Sequence, residues 1–254
     1  MKKVIALIGT QSRRNTYRAV QQFEARLKEL GEVDFEYVFL SDYHLEFCRG
    51  CKLCFDKGEA NCPIKDDRDL LLQKLEQSDG VVFATPNYAF QLTARMKNFF
   101  DRTAFIYHRP RFFGRPCTAI VTQGIFGGGT IAKYVCTSGE NMGFFAVKGC
   151  CVNTLEPMTD VQQRRLTAST RKAADRFHRA LVRPSPAPSL FRLMLFRIAR
   201  TRIKALNDEY LDHRHYRDMG WFESDYYWPA PLGLPKRVAG TLFDLIGQLV
   251  VRFT

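Results

Sequence analysis

The stretch KVIALIGTQSRRNT, residues 3–16, is the clearest indication of the fold class. It opens with a short apolar run that ends at Gly9, and polar residues then lead into a helical pattern that starts near Asn15. A short apolar run bounded by a turn signal predicts a buried strand, and the following periodicity predicts a helix. The segment therefore predicts a strand, a polar loop and a helix, which is the repeating unit of an α/β protein.

The same alternation continues along the chain. Apolar runs predict five strands, at residues 3–9, 35–40, 80–86, 117–124 and 147–155. Apolar residues at helical spacing predict helices at residues 15–30, 69–77, 92–107, 130–141 and 160–182. Asp66 or Asp67 is expected to cap the second of these helices. Five apolar strands separated by helices predict a parallel sheet covered on both faces, with ligands bound beyond the carboxyl ends of the strands.

Composition limits the class of protein. The chain has 254 residues, 46% hydrophobic and 25% charged, which is typical of a soluble globular protein. No apolar run reaches the roughly 20 residues that a membrane span needs, and the apolar N-terminus lacks the pattern of a signal peptide. We therefore expect a cytoplasmic protein whose eight cysteines are thiols. The net charge of +12 comes without a nucleic-acid-binding motif, so no nucleic-acid partner is expected.

The composition changes after Arg183. Three prolines form a linker, and two apolar helices with interleaved arginines are predicted at residues 189–206 and 236–253, on either side of an aromatic loop at 221–228. This pattern predicts two domains, residues 1–183 and a C-terminal extension of residues 184–254. The apolar helices suit peripheral contact with an anionic membrane, packing on the domain, or a dimer interface. The last two are favoured because the aromatic loop needs burial.

Three loops at the predicted carboxyl edge of the sheet suggest a ligand. The first, GTQSRRNT (9–16), offers hydroxyls, an amide, two arginines and a helix N-terminus, which suit a phosphate dianion; a polar helix cap is the alternative. The second, TPNYAFQ (85–91), places Asn87 and Tyr88 where they can meet a flat heterocycle, unless the tyrosine only packs in the loop. The third, QGIFGGG (123–129), lets the backbone approach a ligand, or is a flexible turn.

Four cysteines lie within fifteen residues in FCRGCKLCFDKGEANCP, residues 47–63. The candidate metal ligands are Cys48, Cys51, Cys54 and Cys62. Their spacing, C-x2-C-x2-C-x7-C, suits a [4Fe-4S] cluster with one thiolate per iron. Zinc also takes four ligands, although structural zinc sites usually draw two pairs from opposite sides of a longer loop. Thiols that only shape the loop are the third alternative.

Together, GTQSRRNT, ATPNYAFQLTARMKNFFDR and TQGIFGGG resemble the flavodoxin-like NAD(P)H-dependent FMN reductase family. The cysteine loop resembles that of its iron–sulfur flavoprotein branch. The resemblance implies a flavodoxin-like, doubly wound five-stranded parallel sheet of order 2-1-3-4-5 with a helical C-terminal extension. It also implies FMN as cofactor and NAD(P)H as co-substrate. The residues that it implies around FMN are Thr10, Ser12, Arg13, Asn15, Thr16, Pro86, Asn87, Tyr88, Phe90, Gln123 and Gly124.

The function that the resemblance implies is electron transfer from a nicotinamide through FMN to a quinone, nitroaromatic or redox-protein acceptor, with a [4Fe-4S] cluster as a candidate intermediate carrier. No catalytic side chain is named, because the cofactor does the chemistry. A homodimer or homotetramer is expected. Two alternatives differ in class: a flavodoxin-like electron carrier without a nicotinamide site, which the basic charge disfavours, and a zinc-stabilised binding module, which the intact loops disfavour.

Overall fold

A computed structural model describes residues 1–253, with the side chains of the last two of these left out, and contains a five-stranded parallel sheet. The strands are β1 (Lys2–Ile8), β2 (Val33–Phe39), β3 (Gly80–Pro86), β4 (Pro116–Gln123) and β5 (Phe145–Asn153). Their order is β2-β1-β3-β4-β5, and every neighbouring pair is parallel. The predicted flavodoxin-like fold and its strand order are confirmed.

Helices follow the strands in the expected alternation. Those of the sheet region are α1 (Asn15–Leu30), α3 (Arg68–Glu76), α4 (Ala94–Arg102), α5 (Gly128–Asn141) and α6 (Asp160–Leu181). The short helix α2 (Leu53–Asp56) lies in the cysteine loop. The C-terminal helices are α7 (Leu190–Lys204), α8 (Leu211–Asp218) and α9 (Leu234–Phe253). The helix predicted at 92–107 ends at Arg102 and continues only as a 3-10 turn, Ala104–Tyr107. Thr103 begins this change, since its hydroxyl donates to the Phe99 carbonyl.

The core explains why β1 is entirely apolar. Every residue from Val4 to Ile8 is fully buried, because helices cover both faces of this central strand. On one face, Phe23 of α1 meets Phe177 of α6 with ring centroids 5.6 Å apart. The chain leaves β1 for β2 on one side and returns in β3 on the other. The resulting switch point opens a crevice at the carboxyl edge, where the loops that follow β1, β3, β4 and β5 meet.

Internal contacts divide the chain into two compact units. The first comprises Met1–Gly50 and Ile64–Ser185, and the second combines Cys51–Pro63 with the chain from Pro186 onward. The predicted boundary after Arg183 stays a prediction, and the last residue of the predicted extension, Thr254, lies outside the described residues. Among the helices of the described residues, none is both long and apolar enough to cross a bilayer.

The second unit has an aromatic and ionic core of its own. Trp221 and Tyr226 are buried, and Tyr226 meets Phe196 of α7 with ring centroids 5.3 Å apart. Arg197 of α7 is also buried, and its guanidinium donates to Asp244 of α9 at 2.8 Å. The aromatic loop therefore finds its burial inside this unit. The sequence did not predict α8, because LDHRHYRD contains only two apolar residues.

One glycine makes the pairing of β4 and β5 possible. The register of this pair shifts between Thr118 and Ile120, and a Cβ on Gly149 would lie 1.8 Å from the Ala119 carbonyl oxygen. We expect Gly149→Ala to lower the unfolding free energy by about 3 kcal/mol, because backbone has to move to admit the methyl group. Urea denaturation followed by circular dichroism measures this change.

The matched control for this substitution is Gly129→Ala. Gly129 lies in α5 with nothing within 4 Å of an added Cβ. Alanine in a helix is favoured over glycine by roughly 0.5–1 kcal/mol, so this variant is expected to be at least as stable as the parent chain. Equal losses of stability in the two variants would contradict the account of Gly149.

Candidate functional site

A cavity of about 260 Å³ lies at the carboxyl edge of the sheet, within the first unit. Four loops line it, those that follow β1, β3, β4 and β5. The structure brings nine of the eleven residues that the resemblance implied to this cavity. They are Thr10, Ser12, Asn15 and Thr16 from the first loop, Pro86, Asn87 and Tyr88 from the second, and Gln123 and Gly124 from the third.

The loop after β1 is tied to the ends of two other strands. The Thr16 hydroxyl lies 2.7 Å from the hydroxyl of Thr122 at the end of β4, and both residues are buried. The Asn15 amide donates to the carbonyl of Thr154, just after β5, at 2.9 Å. Within the loop, the buried Thr10 hydroxyl accepts from the Ser12 N–H at 3.1 Å. These bonds fix the polar groups of the loop around one side of the cavity.

The N-terminus of α1 gives this side of the cavity a positive character. Arg14 is the residue that precedes the helix, and its side chain makes no capping hydrogen bond. The first turn of α1 carries no acidic residue, and Arg14 itself lines the cavity. A helix N-terminus with unshared N–H groups and a nearby guanidinium favours an anion.

Two buried acceptors at the cavity have no partner in the described structure. They are the side-chain oxygens of Asn15 and Asn87, whose amide nitrogens donate to the carbonyls of Thr154 and Phe126. Buried polar atoms are nearly always hydrogen-bonded, so each oxygen calls for a donor that the chain does not supply, which a ligand or a water molecule can provide. The hydroxyls of a ribityl chain and the ring N–H of a flavin are donors of the required kind. The residues present therefore fit FMN, on the evidence of these unpaired acceptors and the anion-favouring loop.

The loop after β4 is held by amides from its surroundings. Gln123 accepts from the Gly128 N–H at 2.6 Å and donates to Asn153 at 2.8 Å. Gly127 has a φ of 93°, in the left-handed region, and a Cβ there would also lie 3.0 Å from the Phe90 ring. The Gln123 side chain thus shapes the loop and ties it to the end of β5.

Arg13 and Phe90 are the two implied residues that do not line the cavity. The Arg13 guanidinium lies 4.4 Å from the centre of the Phe39 ring and 3.6 Å from Asp42. Phe90 and Ala89 both have positive φ, 61° and 50°, at the tip of a tight turn closed by the backbone of Tyr88 and Gln91. Such non-glycine conformations each cost about 1 kcal/mol, and this turn leaves the Phe90 ring exposed.

Four lining residues are not among the eleven that the resemblance implied, although Arg14 is one of the two arginines that the first loop offered for a phosphate. They are Arg14, Thr122, Thr154 and Glu156. The signal for the last two was available, since the carboxyl end of the fifth predicted strand must share an edge with the others. Arg13 and Arg14 are adjacent in the sequence, and which of the two lines the cavity depends on the course of the backbone.

The four cysteines of residues 48–62 are divided between the two units. Cys48 belongs to the first unit, where its N–H donates to Asn98 at 3.2 Å. Cys51, Cys54 and Cys62 belong to the second; Cys51 is exposed and Cys62 is buried. Over residues 1–253, no group of three or more His, Cys, Asp or Glu side chains is arranged to hold a metal ion. Within the second unit, Cys51, Cys54 and Cys62 are not arranged as three ligands of one metal ion.

A comparison with protein families adds to this geometry. The model described as NADPH-dependent FMN reductase matches residues 2–154, which include all but one of the residues that line the cavity. The chain belongs to this family. Curated relatives of the family include a protein named iron–sulfur flavoprotein from Archaeoglobus fulgidus. The chain is 38% identical to it over 121 residues, which are 47% of this chain and 53% of the relative. The chain thus spans about half the length of this relative.

Solved structures with the same fold are more distant in sequence. An NAD(P)H:quinone oxidoreductase from Methanothermobacter marburgensis has 18% identity and a TM-score of 0.52, over 68% of this chain and 95% of that one. RosB, solved with 8-demethyl-8-formylriboflavin-5'-phosphate, has 13% identity and a TM-score of 0.56, over 92% of each chain. At these identities the likeness concerns the fold, which agrees with the family assignment.

Proposed function

We propose that the chain binds FMN in the cavity at the carboxyl edge of the sheet and uses it to pass electrons from NAD(P)H to a small-molecule acceptor. The observation that carries the proposal is the pair of unpaired buried side-chain oxygens, those of Asn15 and Asn87, in a cavity where the α1 N-terminus favours an anion. Membership of the FMN reductase family supports it.

In this proposal the two sides of the cavity have different roles. Thr10, Ser12 and Thr16 would hold the phosphate with the N–H groups at the start of α1, and Arg14 would contribute its charge. Pro86, Asn87 and Tyr88 would position the ring system. When bound, FMN supplies hydride acceptance and the release of electrons singly or in pairs, so the protein needs to bind, orient and exclude water. No side chain of the chain is assigned as acid or base.

The surroundings of the cavity suggest the kind of acceptor. Five large apolar side chains of the adjacent loops are exposed, namely Tyr88, Phe90, Ile125, Phe126 and Leu155. The Phe90 and Phe126 rings lie 5.2 Å apart. Rings of this kind favour flat apolar molecules, which supports quinones or nitroaromatics as acceptors. A second copy of the chain would also cover such a surface, as the expected homo-oligomer requires.

Reduction by a nicotinamide tests the enzymatic part of the proposal. NADPH or NADH is mixed anaerobically with the FMN-loaded protein in a stopped-flow instrument. We expect the flavin absorbance at about 450 nm to bleach, at a rate that saturates with nicotinamide concentration. Free FMN in the same buffer, without the protein, serves as the control. A loaded protein that neither nucleotide bleaches would support the alternative of an electron carrier reduced by a partner.

Three hypotheses for the four-cysteine loop differ in the metal that it holds: an iron–sulfur cluster, zinc, or no metal. The cysteine spacing and the similarity to proteins named iron–sulfur flavoprotein support a [4Fe-4S] cluster, whereas the described arrangement does not. We therefore assign no electron transfer step to a cluster. Anaerobically purified protein with about four irons per chain would establish it; about one zinc would indicate a zinc site, and neither metal would indicate thiols.

A further inference from the structure

The last helix of the second unit presents an apolar surface that the fold leaves uncovered. Six side chains of α9 are between 37% and 76% exposed: Leu234, Val238, Leu242, Leu245, Ile246 and Leu249. Five of them are spaced three or four residues apart, and Ile246 follows Leu245 directly, so all six lie along one side of the helix. We call this set the α9 stripe.

The opposite side of α9 packs against α7. A Cβ on Gly240 would lie 3.1 Å from the Arg197 guanidinium, and one on Gly247 would lie 2.9 Å from the Cβ of Thr201. Asp244, on the same side, accepts from Arg197 at 2.8 Å and from Arg200 at 2.6 Å. The α9 stripe is therefore not the face that holds the helix in its unit.

The charges of α9 indicate what the stripe meets. The sequence of the helix has three basic residues, Lys236, Arg237 and Arg252, and one acidic residue, Asp244. Arg237 is exposed, whereas the Lys236 ammonium donates to the Pro188 carbonyl at 2.7 Å and Asp244 is paired with Arg197 and Arg200 of α7. α7 adds exposed Leu190, Phe191 and Leu195, and it carries five basic and no acidic residues. Within the unit, Arg197 and Arg200 are paired with Asp225 and Asp244, and Lys204 is paired with Glu223. Arg202 of α7 and Arg237 of α9 are exposed, so the surface beside the stripe carries positive charge.

An apolar stripe on a cationic helix pair complements one kind of surface. We infer that α9 lies along an anionic phospholipid bilayer, with the α9 stripe in the apolar layer and the basic side chains at the phosphates. A second copy of the same surface fits less well, because two faces of the same charge repel each other. The aromatic loop no longer favours a dimer here, since Trp221 and Tyr226 are buried inside the unit. This inference does not depend on the proposed electron transfer.

Vesicle sedimentation with the full-length chain tests the inference. We expect the protein to pellet with vesicles that contain about 30% phosphatidylglycerol, to bind phosphatidylcholine vesicles at least roughly tenfold less, and to be released at about 0.5 M salt. The double variant Leu242→Glu, Leu249→Glu is expected to lose at least about tenfold in binding to the anionic vesicles. The charge variant Arg202→Glu, Arg237→Glu is expected to lose a similar amount.

Matched substitutions in the first unit serve as controls. Leu70 and Val161 are exposed to a similar degree as the substituted leucines, so Leu70→Glu, Val161→Glu controls for the apolar change. Arg164→Glu, Arg165→Glu controls for the charge change. Circular dichroism confirms that each variant is folded. The inference is overturned if the parent chain stays in the supernatant with both kinds of vesicle, or if the controls lose as much binding as the α9 variants. It is also overturned if light scattering shows a dimer that Leu242→Glu, Leu249→Glu converts to monomers.

Discussion

Arg102→Met is expected to lower the unfolding free energy by about 3–5 kcal/mol, because it leaves a buried carboxylate without its counter-ion. Asp66 and Arg102 are joined by two hydrogen bonds of 2.5 and 2.9 Å, and their side chains are 0% and 1% exposed. Arg102 also donates to the Glu46 carbonyl, so the pair fastens the segment that leads to the cysteine loop. Urea denaturation of parent and variant measures the loss.

The matched control is Lys97→Met on the same helix. Lys97 pairs with Asp101 one turn away, but both side chains are more than 40% exposed. Exposed pairs of this kind contribute about 0.3–0.5 kcal/mol, so this variant is expected to remain close to the parent in stability. Similar losses in both variants would show that the buried pair is no more important than a surface pair.

The effect of Arg102→Met depends on pH. Burial alone would raise the pKa of Asp66, but hydrogen bonds from Arg102 and from the N–H groups of Arg68 and Glu46 outweigh it and leave this pKa below its ordinary value. A lowered pKa in the folded state stabilises the protein above the unfolded pKa, and this contribution is lost as the pH falls through the folded value. The difference between parent and variant is therefore expected to shrink below about pH 4.

Ser12→Asp is expected to weaken FMN binding by roughly 100-fold, because the new carboxylate would lie beside the proposed phosphate position. Two like charges about 4 Å apart repel by a few kcal/mol near a protein surface. Ser12 lies in the cavity loop next to the α1 N-terminus. Quenching of flavin fluorescence on titration with flavin-free protein measures the dissociation constant.

Thr167→Asp is the control for this substitution. Thr167 is exposed in α6, away from the cavity lining, and the variant carries the same change in charge. It is expected to bind FMN within about twofold of the parent, since Thr167 does not line the cavity and salt screens exposed charges. An unchanged dissociation constant for FMN in Ser12→Asp would contradict the proposal that this loop binds the phosphate.

Periodicity in the sequence was enough to predict the sheet, while the partners of single side chains were not visible in it. Asp67 does precede α3 as expected, but its carboxylate accepts from the His44 N–H and caps nothing. The Asp66 carboxylate does accept from the N–H of Arg68, the first residue of α3, at 3.2 Å. It also pairs with Arg102, 36 residues away, and this tertiary partner is one that local pattern does not encode.

In the candidate site too, the loops were predictable from the sequence, whereas the partners of single side chains were not. The loops after β1, β3 and β4 were predicted because their residue types suit a phosphate and a flat ring. The partner of Asn15, the Thr154 carbonyl, lies 139 residues away and was not foreseen. The exposed position of Phe90 depends on a positive φ, which an alanine followed by a phenylalanine gives no reason to expect.

In the proposed function, the cavity binds FMN through its phosphate as well as its ring. Calorimetric titration of the flavin-free parent chain with FMN and with riboflavin tests this most directly, because the two ligands differ only in the phosphate. We expect one FMN to bind per chain and riboflavin to bind roughly 100-fold more weakly, since riboflavin lacks the phosphate that accepts several charge-assisted hydrogen bonds. Equal affinities for the two ligands, or no saturable binding of FMN, would contradict it.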